Sequence, residues 1–205
     1  MRRYGEEFSG EMQTLPIPAE MPPEIPRVTL QSADGRKRLN IGPARFDYVW
    51  THDPDVAPTS LAEAIHECED LLVHYIEEMH VRVGRLGLIV ERVCRHENPA
   101  QAIIRRFCTP EAQREPFNRS TTFEIHNHKE YTPRYDGVDY QINSWVRCRS
   151  AKVKPDDQAS IVVVQDINTM AGELDERRFD AEGVRTFFEM ATSEADDIIR
   201  KYFPG

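Results

Sequence analysis

The stretch VDYQINSWVRCRS, residues 138–150, alternates without a break. Val138, Tyr140, Ile142, Ser144, Val146 and Cys148 form one set, and Asp139, Gln141, Asn143, Trp145, Arg147 and Arg149 the other. Successive side chains of a strand point to opposite faces. The first set suits a core, and the second mixes amides, an aromatic and two arginines. A strand of this kind belongs to an antiparallel sheet covered on one side only.

Two neighbouring runs extend that sheet. Asp136-Gly137 is a hairpin signal and joins the stretch to TTFEIHNHKEY, residues 121–131. There Glu124, His126 and His128 share one face. SIVVVQDIN, residues 160–168, reads as a further strand.

The helices supply the cover. Residues 59–84, TSLAEAIHECEDLLVHYIEEMHVRVG, open on a capping box, Ser60 with Glu63, and carry a stripe of Leu61, Ile65, Cys68, Leu72, Ile76 and Met79. This predicts a long helix ended by Gly84, with His66, Asp70, His74 and Glu77 on a solvated side. At the other end, Asp180 caps a second long helix in which Val184, Phe187, Phe188, Ala191, Ala195, Ile198, Ile199 and Tyr202 form a wide apolar stripe. NPAQAIIRRF, residues 98–107, predicts a short third helix with Asn98 as N-cap, Pro99 at the first position and Gln101 completing the cap. LGLIVERVCR, residues 86–95, is a strand with Leu86, Leu88 and Val90 on one side.

The N-terminal part divides in two. Pro16, Pro18, Pro22, Pro23 and Pro26 exclude a helix over residues 1–26. An extended arm is expected there, either a loose tail or laid on the domain through Leu15, Ile17, Met21 and Ile25. After it, Asp34-Gly35 separates two strand-like runs, and Phe46 to Trp50 make a third. The expected fold is therefore α+β, with one curved antiparallel sheet over two long helices and a single domain spanning residues 27–205.

Composition narrows the function classes. The 205 residues are 40% hydrophobic and 30% charged, with a formal net charge of −9. That balance disfavours a general nucleic-acid surface, leaving only a local patch of Arg92, Arg95, Arg105 and Arg106. No apolar run reaches the roughly 20 residues that span a bilayer, and the expected location is the cytoplasm. Cys68, Cys94, Cys108 and Cys148 are scattered, as reduced packing thiols are.

Residues 26–50 (PRVTLQSADGRKRLNIGPARFDYVW), the long helix after them, GRLGLIVERV, VVVQDIN and FFEMATSEADDIIRKYF resemble, in order and spacing, a sporadically distributed family of bacterial proteins. The resemblance covers most of residues 26–203. It implies no reaction and brings no residue roles. Family members begin with another strand before the Pro-rich stretch, and this chain's version is missing or degenerate, so an open sheet edge is expected there. By analogy only, the patchy distribution points to defence or toxin–antitoxin systems.

Two function classes follow. In the first, the chain is a non-catalytic binding module recognising a protein partner or small ligand through Glu124, His126, His128, Gln141, Asn143, Trp145 and Arg147. In the second, it is a metal-dependent or acid–base enzyme centred on His126 and His128. Cys94 and His96 could join those histidines around zinc if their strands were neighbours. Glu124 could orient His126 as a base, yet Thr121, Thr122 and Ser144 sit in no nucleophile elbow. No cofactor motif is present and no metal is assigned; self-association stays open.

Overall fold

Most strands pair with a neighbour in sequence, while Gly87–Arg95 pairs with the distant Gln158–Thr169. The computed structural model describes residues 7–16, 18, 20–52, 60–154, 156–170, 172 and 178–203. Ile17, expected in the arm, lies outside them. The chain is α+β, as expected, but it carries two four-stranded antiparallel sheets and a small two-stranded ribbon in place of one sheet. It falls into two compact units, Met1–Cys68 and Glu69–Gly205.

In the first unit, β1 (Met12–Thr14), β2 (Val28–Gln31), β3 (Lys37–Ile41) and β4 (Phe46–Trp50) pair in sequence order. The β2–β3 turn is the predicted one. Gly35 takes φ 72°, and the Asp34 carboxylate accepts from Ser32 Oγ at 2.6 Å and from the Arg36 amide at 3.1 Å. β1 pairs Met12 with Leu30, so the edge expected to be open is occupied. An ion cluster not foreseen from the sequence joins Lys37 Nζ to Glu7 at 2.5 Å and to Glu67 at 2.6 Å. Tyr48 donates its hydroxyl to Glu67 at 2.6 Å.

The first long helix, α1 (Leu61–Met79), begins with the capping box in both directions: Ser60 N–H reaches Glu63 Oε2 at 2.7 Å and Glu63 N–H reaches Ser60 Oγ at 3.1 Å. It stops at Met79, short of Gly84. His80 turns left-handed at φ 52°, and Val83 bridges to Phe179 in extended form, the backbone state that β-branched residues favour. Met79 is exposed, whereas Leu71 and Val73 are buried, so the buried side is rotated from the expected stripe. Glu69, also buried, meets Arg185 at 3.4 Å.

The second unit holds β5 (Gly87–Arg95), α2 (Pro99–Phe107), α3 (Pro110–Arg114), β6 (Glu124–Tyr131), β7 (Arg134–Tyr135), β8 (Val138–Asp139), β9 (Ile142–Val153), β10 (Gln158–Thr169) and α4 (Ala181–Tyr202). Its sheet runs β5-β10-β9-β6. β6 and β9 form the predicted hairpin, and the ribbon β7–β8 continues it to Asp136 and Gly137, both at positive φ, 47° and 81°. Asp180 caps α4 by accepting from the Gly183 amide at 2.9 Å. Asn98 makes no side-chain cap. Gln101 reaches instead to the carbonyls of Phe117 and Ser120.

One face of this sheet is buried. Val146, Cys148, Ile161 and Val163 pack with Ala102 and Ile103 of α2 and with Ile198 and Tyr202 of α4. Burying the valines and isoleucines among these stabilises by about 1.5–3 kcal/mol each. Arg92 and Arg106, two of the four arginines read as a basic patch, are tied to α4. Arg92 meets the Ala195 carbonyl and Asp196, and Arg106 donates to the carbonyls of Lys201 at 2.7 Å and Arg200 at 2.6 Å. Among the described residues, no helix is long and apolar enough to cross a membrane.

Candidate functional site

The other face of the second sheet is largely uncovered, and its rows follow from the register. Directly paired residues of antiparallel strands share a face. His126 stands beside Arg147, Val164 and Glu91; His128 beside Trp145, Asp166 and Ile89; Glu124 beside Arg149, Val162 and Val93. Six of the seven residues read from the sequence as a binding set therefore meet here: Glu124, His126, His128, Asn143, Trp145 and Arg147. Gln141 does not join them. It precedes β9, gives its carbonyl to the Met170 amide, and lines a separate cavity with Asp136, Tyr140 and Asp180.

The set is organised by two contacts. Arg147 grips Glu124 with two hydrogen bonds, Nε to Oε1 at 2.6 Å and a terminal nitrogen to Oε2 at 3.0 Å. This fork geometry is the strong form of the ion pair. His126 Nε2 contacts the same carboxylate. Arg147 first, and His126 second, hold the Glu124 carboxyl down at about 2. The second contact is a stack. The His128 ring lies on Trp145 with centroids 4.0 Å apart and planes within 8°, while its Nε2 meets Asn143 Oδ1 at 2.7 Å.

From Asn143 the polar chain crosses the sheet. Asn143 donates to Asn168 Oδ1 at 3.4 Å, Asn168 donates to Asp166 at 2.8 Å, and Arg85 donates to Asn168 Oδ1 at 2.9 Å. Sequence reasoning missed Arg85, Asp166 and Asn168 as members, and likewise Ile89 and Val93. Their alternation was visible, but it shows which residues share a face within a strand and not which strands are neighbours.

The zinc arrangement does not form. β5 and β6 are the two edges of the sheet, with β10 and β9 between them, a separation of roughly 14 Å at the usual strand spacing. Cys94 also pairs with Ile161, on the helix-covered face, opposite to His126 and His128. His96 accepts from the Asn98 amide at 3.0 Å through Nδ1. Ser144, weighed as a nucleophile, is buried on that covered face beside Lys129 and Ile167. Glu124 and His126 have the contact an acid–base pair needs, but Ser144 points away from them.

Comparison of the chain with protein-family models, with curated proteins and with solved structures finds no match in any of the three.

Proposed function

We propose that the uncovered face of the second sheet recognises a protein partner and that this chain is a binding module. One observation carries the reading: Trp145, Ile89 and Val93, 42%, 64% and 47% exposed, share that face with the forked Glu124–Arg147 pair. An exposed tryptophan and an ordered arginine are residue types that protein interfaces use at their centres, and Ile89 and Val93 extend the apolar surface beside them. Ion pairing within the face fixes the polar side chains before a partner arrives, which lowers the ordering cost of binding. A protein suits this surface better than a small molecule, because small ligands are held in concave sites that bury most of their area.

The test is site-specific photo-crosslinking in the source cells, with a benzophenone amino acid at Ile89 or, as control, at the exposed Lys152 of β9. The expected result is one discrete protein adduct from Ile89, reduced several-fold by Trp145→Ala and missing from Lys152. Equal adducts from both positions, or none from Ile89, would sink the proposal. An adduct of small-molecule mass would replace the protein partner by a ligand.

A further inference from the structure

β5 is an edge of the second sheet, and its main chain has a free side. The Thr169 amide donates to the Leu86 carbonyl at 2.9 Å and the His96 amide to the Ala159 carbonyl at 3.0 Å, so the even-numbered residues of β5 spend their main-chain groups on β10. Ile89, Glu91, Val93 and Arg95 therefore turn N–H and C=O outward. No strand among the described residues pairs with that side.

Natural sheet edges are blunted by charges, prolines or short length. β5 is nine residues long and has no proline, and Ile89 and Val93 are exposed on it. The opposite edge differs. There the Ser150 amide donates to the Phe123 carbonyl, so β6 turns Glu124, His126, His128 and Glu130 outward, and none of these is apolar.

The side chains of β5 are self-complementary. Glu91 and Arg95 are exposed, lie on the uncovered face with Val93 between them, and make no ion pair among the described residues. Four residues of strand hold them roughly 13 Å apart, so they cannot meet each other. A second β5 laid antiparallel, with Val93 opposite Val93, puts Glu91 of each copy directly opposite Arg95 of the other. About six main-chain hydrogen bonds then close across the three pairs, with an ion pair on each side of an apolar contact. Other registers lose this. Centring on Glu91 opposes two carboxylates, and centring on Arg92 opposes two arginines and sets Glu91 against Val93.

We propose that β5 pairs antiparallel with β5 of a second copy of this chain, centred on Val93, joining two four-stranded sheets into one of eight strands. The pairing lies in the plane of the sheet and does not rest on the partner proposed for the uncovered face. A crosslink from Ile89 to the chain itself reports this edge, and one to a different protein reports the face.

Sedimentation equilibrium of the full chain, up to millimolar concentration, is the test, and a dimer is expected. Glu91→Arg or Arg95→Glu alone should weaken the dimer on the order of tenfold or more, since two like-charge pairs replace two ion pairs. The double exchange should restore it. Val93→Pro should abolish it while circular dichroism shows the monomer still folded, because the lost amide points outward and proline is tolerated at such edge positions. A chain monomeric throughout, a species larger than a dimer, a dimer unchanged by the single reversals, or one not restored by the double exchange would overturn the proposal.

Discussion

His128 and Trp145 are direct cross-strand partners in β6 and β9, and their rings stack at 4.0 Å. The chain has two tryptophans, and the other, Trp50, lies 5.9 Å from His52. In a Trp50→Phe background, acrylamide should quench Trp145 emission more readily in His128→Ala than with His128 in place, as the imidazole covers one face of the indole. Equal quenching of the two proteins would show that the stack does not persist in solution.

The Glu124–Arg147 fork has its own pH signature. The folded carboxyl sits at about 2 against an ordinary 4.5, so its contribution to stability is present above the ordinary value and is lost as pH falls from there toward 2. Solvent screening at this exposed pair keeps that contribution small. In carboxyl-detected NMR, Glu124 should titrate near 2 in the wild type, and Arg147→Leu should move it up toward the ordinary range. A wild-type titration already near 4.5 would refute the fork.

The core beneath the sheet predicts a sharp contrast along α4. Phe187 is fully buried and packs edge-on against Phe188 at 5.3 Å. Phe187→Ala should cost about 3–5 kcal/mol, read by chemical denaturation. Glu189, exposed on the same helix, should tolerate Ala within about 0.5 kcal/mol. Similar losses for the two would place the helix face wrongly.

Cys148 should resist alkylation. Its thiol is fully buried in the centre of β9, and burial pushes it up to about 11, so neither access nor thiolate is available near neutral pH. Peptide mapping after iodoacetamide at pH 8 should find Cys148 unmodified in the native protein and modified after unfolding. Native modification of Cys148 at the rate of the partly exposed Cys108 would contradict the packing.

Local chemistry was legible. The Ser60–Glu63 box, the Asp180 cap and the two Asp-Gly turns each depend on a few adjacent residues, and each forms as read. Where tertiary contacts compete, local signals lost. Asn98 had the composition of a cap but makes none, and Gln101 prefers the Phe117 and Ser120 carbonyls. The α1 stripe rotated, and the helix yielded four residues early to an extended segment that bridges Phe179.

The amino-acid sequence by itself determined the α+β class, the hairpin of β6 on β9 and the shared face of Glu124, His126, His128, Asn143, Trp145 and Arg147. Each is fixed by alternation or by a turn a few residues long. Only the tertiary structure decided that β10 lies between β9 and β5, that Cys94 and His96 are far from the histidine pair, and that Gln165 is buried with its Oε1 unpartnered among the described residues. Those outcomes depend on which distant strands bury the most apolar surface together, a competition over the whole chain that no local pattern records.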